Sequence, residues 1–183
     1  MFRFVALLRA INVGRGRTVK MQSLRRLFES LGFCKVATFI ASGNVIFETA
    51  KKRTRTLERK IEKTLHETLG YEVGTFIRGE AELTKIVNYH PFSRAKLDRS
   101  WHRNIVFLED NLSPALKRKV KALRTNTDVF EVRGREIYWL RRRKQNGTFS
   151  TVPLEKTLGR AFTVRGADTI KRIASKWCSQ EMS

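Results

Sequence analysis

The sequence predicts an α+β protein made of two tandem units, and three observations support this fold class. The chain has 183 residues, 41% of them hydrophobic, which is enough for one or two domains with cores of their own. Apolar residues with helical spacing alternate with short β-branched and aromatic runs, a pattern typical of mixed helices and strands. The order of strands and helices in residues 1–80 recurs more loosely in residues 81–183, and we predict these two stretches as the units.

The first unit is predicted to follow the order β-α-β-β-α-β, which is the signature of a ferredoxin-like fold. Gly32 and Gly70 end its two helices, and the turn residues Ser42-Gly43-Asn44 join two strands into a hairpin. The predicted elements are a strand at 2–8, a helix at 21–31, strands at 35–41 and 45–48, a helix at 57–69 and a strand at 71–78.

The second unit shows the order β-α-β-β-α with a further helix at its end. Ser113-Pro114 opens one helix with a capping serine and a proline at the first helical position. We therefore predict two tandem ferredoxin-like units that pack together. The predicted elements are a helix at 81–89, a strand at 101–108, a helix after Ser113, strands at 127–132 and 136–141, and helices at 152–158 and 167–177.

The first strand is apolar on both of its faces. Phe4, Ala6 and Leu8 point to one face, and Val5 and Leu7 point to the other. The two helices cover one face, so we expect the second unit or a partner subunit to cover the other. Phe2, Phe4 and Phe47 are expected in the core. An open sheet that binds RNA through exposed aromatic residues is therefore disfavoured.

The composition excludes several classes of protein. Three prolines and eleven glycines exclude collagen-like and low-complexity chains, and two cysteines, Cys34 and Cys178, cannot form a disulfide-rich scaffold. No run approaches the ~18 apolar residues of a membrane span. The apolar N-terminal run is too short for a signal peptide and ends at Arg9. We expect a cytoplasmic protein that has no membrane partner.

The chain is strongly basic, with 38 Lys and Arg against 17 Asp and Glu and a net charge of +21. The excess is +9 in residues 1–80 and +12 in residues 81–183, so it is spread over the whole chain. Such a charge favours polyanionic partners, although a solvated cationic surface is the alternative. The local clusters are Lys51-Lys52-Arg53 with Arg55, Lys117-Arg118-Lys119 with Lys121, and Arg141-Arg142-Arg143-Lys144.

Four segments carry motifs that occur together. They are the stretch 5–14, the helix from Met21 to Phe33, the hairpin Ser42-Gly43-Asn44-Val45-Ile46-Phe47, and the tail from Leu154 to Thr169. Together they resemble one bacterial family, domain of unknown function 1697. The resemblance covers essentially the whole chain and implies two ferredoxin-like units with no established activity. Ala10 stands where the family has glycine, Arg15 replaces a second glycine, and residues 166–168 differ from the family's tail motif.

One candidate site is a phosphate-binding edge. The loop after the first strand precedes a helix, and in this topology it lies beside the hairpin turn, so backbone N–H groups and basic side chains could hold a phosphate there. The loop lacks the third glycine of a dinucleotide fingerprint and the Gly-Lys-Ser/Thr of a P-loop. The alternative is that its glycines serve only the loop geometry. The candidates are Arg9, Asn12, Gly14, Arg15, Gly16, Arg17, Lys20, Ser42, Gly43 and Asn44.

A second candidate is a cationic surface of the second unit that binds the nucleic-acid backbone. Arg and Lys side chains supply such contacts, and Trp101 and Trp139 could stack on bases if they were exposed, the alternative being that both lie in the core. The candidate residues are Arg141, Arg142, Arg143, Lys144 and Arg165.

The sequence gives little support for catalysis. His66, His90 and His102 are scattered, and no nucleophile or paired-acid motif can be assembled from the spacing. Cys34 is expected to be a buried, unreactive thiol. We predict no cofactor and no metal site.

Three hypotheses of function stay open. The first is a non-catalytic binder of nucleic acid or another polyanion through its phosphates. The second is an enzyme or binder that takes a small phosphorylated or nucleotide-like ligand at the edge formed by residues 9–20 and 42–44. The third is a structural or partner-binding domain without a ligand. Steep salt dependence, a pocket at that edge, or neither would distinguish the three.

Overall fold

Two four-stranded antiparallel sheets, each accompanied by helices, make up the computed structural model of the chain, which describes residues 1–12, 18–92, 100–142 and 150–178. The chain divides into two units, Met1–Thr84 and Lys85–Ser183. The predicted α+β class with two ferredoxin-like units is confirmed.

The first unit has the sheet order β2-β3-β1-β4. β1 lies in the interior of the sheet between β3 and β4, and β2 and β4 are the edge strands. Its elements are β1 (Phe2–Leu8), α1 (Met21–Ser30), β2 (Cys34–Thr38), β3 (Asn44–Thr49), α2 (Thr54–Leu69) and β4 (Thr75–Gly79).

The second unit repeats this plan with the sheet order β6-β7-β5-β8. The helix α3 (Glu80–Val87) runs from the first unit into the second. The other elements are β5 (Trp101–Phe107), α4 (Pro114–Ala122), β6 (Asp128–Arg133), β7 (Glu136–Arg142), α5 (Val152–Leu158), β8 (Thr163–Gly166) and α6 (Ala167–Cys178).

The strand β8 is absent from the sequence-based prediction. It has only four residues, too few to show an alternating pattern, and its two buried residues, Thr163 and Arg165, are polar. Because strands are recognised by buried apolar positions, this one gives no signal. It completes the β-α-β-β-α-β order of the second unit.

Two further expectations are wrong. Cys34 is exposed, because it begins the edge strand β2. Phe2 is 42% exposed, whereas Phe4 and Phe47 are buried as expected. Both exposed residues begin strands, where the sheet offers less cover.

Each unit has its own hydrophobic core beneath its helices. In the first unit the ring of Phe47 stacks on Phe33 with centroids 4.5 Å apart and meets Phe28 edge-on at 5.7 Å. Val5 and Leu7, which point to the opposite face, are also fully buried. The core residues of the second unit include Val106, Leu108, Leu112, Val120, Phe130, Ile137, Trp139, Leu154, Leu158 and Phe162.

Three carboxylates cap alternate backbone amides of the edge strand β4. Glu62 accepts from the N–H of Thr75 at 2.8 Å, and Glu58 accepts from the N–H of Ile77 at 2.8 Å. Glu82 accepts from the N–H of Gly79 at 3.1 Å. Exposed edge amides would be templates for pairing with another strand, so these bonds close the edge and fix α2 against it.

Replacing Glu58 with alanine is expected to lower the free energy of unfolding by about 1–3 kcal/mol, because the buried Ile77 amide loses its acceptor. Chemical denaturation measures the loss, and faster hydrogen exchange at Ile77 localises it. The matched control is Glu67→Ala on the same helix, an exposed residue whose loss costs at most about 0.5 kcal/mol. Equal losses for both variants would contradict the capping role.

A second buried carboxylate links three strands. Glu48 on β3 is 8% exposed and lies 2.8 Å from Nε of Arg3 on β1. It also lies 3.3 Å from Nζ of Lys35 on β2. The hydrogen bond from Arg3, reinforced by Lys35 and opposed by burial, lowers the pKa of Glu48 below its ordinary value.

The ionised form of Glu48 is therefore expected to stabilise the protein at neutral pH. Because its folded pKa is depressed, this contribution is fully present above the ordinary value near 4.5 and is lost as the pH falls through the folded pKa. The stability gap between the native chain and Glu48→Gln should be widest at pH 7 and should narrow in acid. Thermal unfolding across pH measures the gap, and a gap that widened in acid would refute the assignment.

Candidate functional site

The loop after β1 and the turn between β2 and β3 meet at one edge of the sheet, as the topology predicted. The amide of Leu8 donates to the carbonyl of Gly43 at 2.8 Å, and Nδ2 of Asn12 donates to the carbonyl of Ala41 at 3.0 Å. Gly43 has φ +69°, and a Cβ there would lie 3.0 Å from Cβ of Ile11. Only glycine fits this approach without displacing its neighbours.

The asparagine side chains at this edge are bonded within the protein. Asn44 is fully buried and donates to the carbonyl of Phe39 at 3.0 Å and to Oγ of Ser42 at 2.8 Å. Oδ1 of Asn12 accepts from the amide of Val19 at 2.6 Å, and its Nδ2 also donates to the Val19 carbonyl at 3.2 Å. These groups fix the ends of the loop, and Asn44 has no surface to offer a ligand.

Two basic residues of this edge are exposed to solvent and could contact a ligand. Arg9 and Lys20 are exposed, and Lys20 immediately precedes the first turn of α1. The other candidates of the phosphate set, Gly14, Arg15, Gly16 and Arg17, lie outside the described residues. The structure thus brings the loop ends and the turn together, with Arg9 and Lys20 at the surface, Asn12 half-buried and Asn44 fully buried.

Three non-glycine residues at this edge have a left-handed backbone. They are Ala10 at φ +64°, Asn12 at +56° and Ile40 at +50°. Asparagine tolerates this region, whereas alanine and a β-branched residue are disfavoured there. Ala10 is the position at which the resembling family has glycine, and its φ explains that preference. The side chain of Asn12 donates to the carbonyl of Ala41 and accepts from the amide of Val19, and these hydrogen bonds help to hold the conformation.

Replacing Asn12 with alanine is expected to lower the melting temperature by about 4–8 °C, because about 2 kcal/mol of hydrogen bonding is lost at a left-handed position. Asn12→Gly, which keeps the backbone freedom, should be less destabilised. The control is Asn126→Ala, which removes an exposed asparagine from the second unit. A melting temperature of Asn12→Ala equal to that of the control would show that Asn12 does not hold the loop.

Among the second-unit candidates that the structure describes, Arg165 is buried, whereas Arg141 and Arg142 lie at the end of β7. Arg142 is exposed, and the half-buried Arg141 places its guanidinium 5.9 Å from the ring centre of Trp139. Arg165 is 9% exposed, and its Nη1 donates to Oγ1 of Thr163 at 2.7 Å and to the carbonyl of Val164 at 2.9 Å. We therefore leave Arg165 out of any nucleic-acid interface. Arg143 and Lys144 lie outside the described residues.

Burial lowers the pKa of Arg165 to about 10, so the group keeps its positive charge at neutral pH. Its hydrogen bonds to Thr163 and Val164 supply acceptors in place of water, as a buried cation requires. The guanidinium is thus an internal structural group.

Neither Trp101 nor Trp139 offers a fully exposed ring on which bases could stack. Trp139 is 3% exposed and its Nε1 donates to Oδ1 of Asp128 at 2.8 Å, so it belongs to the core. Trp101 is half-buried at the start of β5. Aromatic stacking is therefore a weak basis for a binding site here.

The part of the chain that the structure describes holds neither a metal-ligand cluster nor a membrane-spanning helix. Within 1–12, 18–92, 100–142 and 150–178, no three His, Cys, Asp or Glu side chains come together as metal ligands. Over the same ranges, no helix is both long and apolar enough to cross a bilayer. His66, His90 and His102 are exposed and are distributed over different elements.

A concentrated basic surface of the first unit lies along α2 and the residues that lead into it. Residues 51–66 contain seven basic and two acidic residues. The two acids, Glu58 and Glu62, point inward to the amides of β4. We call the outward side the cationic face of α2, and its residues are Lys51, Lys52, Arg53, Arg55, Arg59, Lys60 and Lys63, all of them exposed.

Several of these cations have local contacts that hold them near the helix. Nζ of Lys60 donates to the carbonyl of Leu31 at 2.8 Å, and Nζ of Lys52 lies 5.7 Å from the ring centre of Phe2. Arg55 lies 4.0 Å from Glu58, and Lys63 lies 3.9 Å from Glu67. The last two separations are at the outer limit of an ion pair, and such exposed pairs contribute little to stability.

The sequence marked the beginning of this face but not its extent. The sequence predicts the cluster Lys51-Lys52-Arg53 with Arg55, but it does not predict that Glu58 and Glu62 point inward. A signal was present, because Glu58 and Glu62 each follow an apolar residue of the stripe at helical spacing, Leu57 and Ile61. Such positions border the buried side of a helix.

Comparisons with known proteins identify a family. No protein with a curated description matches the chain. The conserved bacterial protein SP0830 from Streptococcus pneumoniae has a similar solved structure, with a TM-score of 0.72 and 22% identity over 96% of this chain and 98% of that one. At this identity the likeness shows the fold alone. The model of a family described as "Protein of unknown function (DUF1697)" matches residues 1–138. Because that match spans well over half of the 183 residues, the chain belongs to the DUF1697 family.

Proposed function

We propose that the protein binds the phosphate backbone of nucleic acid through the cationic face of α2. The observation that supports this proposal is the inward direction of Glu58 and Glu62, which leaves four exposed cations on α2 and three in the residues that lead into it. Lys and Arg contacts to phosphates supply most of the affinity of non-specific nucleic-acid binding. The overall charge of +21 adds long-range attraction toward the same class of partner.

The dimensions of the face suit a nucleic-acid strand. The 16 residues of α2 span about 24 Å at ~1.5 Å per residue. One strand of a duplex presents a phosphate about every 3.4 Å along the helix axis, so roughly seven phosphates lie along that length. The four cations of α2 can therefore meet several phosphates within that length, and the three cations that precede the helix extend the face.

The chemistry of the face favours binding without sequence preference. Its side chains are Lys and Arg, and the aromatic residues associated with them, Phe2 and Phe33, contact Lys52 and Lys60. Contacts to phosphate position a protein on nucleic acid but do not distinguish bases. We therefore infer a binder that recognises charge and backbone geometry.

The small-ligand hypothesis has less support. A phosphate at the edge of residues 9–20 and 42–44 would need polar groups that face the ligand, yet the side chains of Asn12 and Asn44 are bonded to the protein's own carbonyls. The third hypothesis, a domain whose charge is only a solvated surface, makes a different prediction about salt and is tested by the same experiment.

The test is fluorescence-polarisation binding to short single- and double-stranded oligonucleotides between about 50 and 200 mM salt. The variant Lys51→Gln/Arg53→Gln/Arg59→Gln should bind more weakly, and its slope of log K against log salt should be shallower by about 2–3, since each lost phosphate contact removes ~0.9. These three side chains are exposed, so folding should be unaffected.

The matched control removes three exposed charges from the second unit, with Arg118→Gln/Lys119→Gln/Arg124→Gln. Its slope should change by less than about one contact. Equal changes for the two triple variants would mean that only net charge matters, and this outcome would overturn the proposed interface. A native chain that fails to bind at about 50 mM salt would overturn the function itself.

A further inference from the structure

The second unit contains a cavity of about 230 Å³ that the sequence analysis missed. It lies on the side of the sheet that faces away from the unit's hydrophobic core, because Ile105 and Tyr138 line it whereas the adjacent Val106 and Ile137 belong to the core. All its lining residues belong to this unit. We call it the second-unit pocket.

The floor of the second-unit pocket is apolar and well fixed. Ile86, Ile105 and Tyr138 are each at most 5% exposed. The ring of Tyr89 meets Tyr138 edge-on with centroids 4.8 Å apart, and the guanidinium of Arg133 lies 4.5 Å from the centre of the Tyr89 ring. The aromatic wall is thus held from two directions and can receive the apolar body of a ligand.

The rim of the pocket is polar and has an excess of positive charge. Arg103 and Asp168 form an ion pair with Nη2 2.9 Å from Oδ1, so the acid among the lining residues is already matched by a cation. Lys171 follows Asp168 by three residues on α6 and also lines the pocket. Ala167 and Asp168 place the first turn of α6 in the wall, where the helix dipole adds partial positive charge.

We infer that the second-unit pocket binds a small organic anion. Its apolar body lies against Tyr138, Tyr89 and Ile105, and its carboxylate or phosphate lies at Lys171 and the first turn of α6. The amides of Asn88 and Asn104 supply further hydrogen-bonding groups in the wall. A pocket with an apolar floor and a few polar groups is the usual form of a small-molecule site.

The size of the pocket limits the ligand. A cavity of about 150 Å³ can bind benzene, so 230 Å³ has room for one aromatic ring with a substituent. A single ring with one anionic group fits this space, whereas a nucleotide with base, sugar and phosphate is larger. The residues that line the pocket differ from those of the cationic face of α2. The proposal of a small-anion site and the proposal of nucleic-acid binding can therefore fail independently.

The test uses three probes of one shape: benzoate, phenyl phosphate and the neutral benzamide. Each is titrated into the full-length ¹⁵N-labelled protein to about 10 mM, and amide shifts are followed by NMR. We expect one or both anions to shift the amides of residues 88–90, 103–105 and 167–171. The anion that binds more tightly identifies the preferred head group. Benzamide should bind at least about tenfold more weakly, because it lacks the charge.

Two variants of α6 decide the role of Lys171. Lys171→Gln should weaken the binding of the better anion about tenfold. The matched control Lys176→Gln removes an equally exposed lysine that does not line the pocket and should leave the affinity within about twofold. The proposal is overturned by an absence of shifts with both anions, by shifts confined to residues 51–66, by equal binding of benzamide, or by equal effects of the two variants.

Discussion

The architecture of the first unit depends on the hydrogen bonds that the backbone amides of β4 donate to carboxylates of α2. β4 is an edge strand, and Glu58 and Glu62 complete hydrogen bonds that no neighbouring strand can supply. The same bonds set the rotation of α2 about its axis, because Leu57, Ile61 and Leu65 must enter the core beside them. Once that rotation is fixed, the remaining charged positions of α2 point to solvent. Arg55, Arg59, Lys60 and Lys63 are basic, and Glu67 is the exposed acid among them. A requirement of the fold thereby separates negative from positive charge across one helix.

The two units are built on one plan that extends to individual side chains. Arg78 and Arg165 each occupy the next-to-last position of the final strand, and each precedes a glycine and then a helix. Arg78 is opposite Val5 and Arg165 is opposite Ile105 in the corresponding strand pairs. In both cases Nη1 donates to the carbonyl of the preceding residue, at 2.8 and 2.9 Å. Such agreement between two buried arginines, which are costly to bury without hydrogen bonds, favours an internal duplication over a chance similarity of element order.

The parts of the fold that follow from periodicity were predictable, and the parts that depend on exceptions were not. The stripe of Leu57, Ile61 and Leu65 defined α2, and Gly159 marked the end of α5. The sequence pattern did not predict β8, because the buried residues of this strand are polar. The prediction that Cys34 is buried was wrong, because an edge position depends on the order of strands in the sheet rather than on local sequence. The meeting of the loop after β1 with the turn at Gly43 followed from topology. The second-unit pocket could not be predicted, since it combines residues from α3, β5, β7 and α6 whose proximity exists only in the folded chain.

The local arrangement of charge matters more here than the total of +21. At physiological ionic strength the screening length is about 8 Å, so basic residues on different faces act on a bound polyanion almost independently. Side chains separated by one helical turn are about 5.4 Å apart along the axis and act together. The acids Glu58 and Glu62 accept hydrogen bonds from the amides of β4, so their carboxylates do not compete for a partner on the solvent side of α2. The salt dependence of binding counts contacts rather than net charge, and it is therefore the property that distinguishes such a face from a diffuse cationic surface.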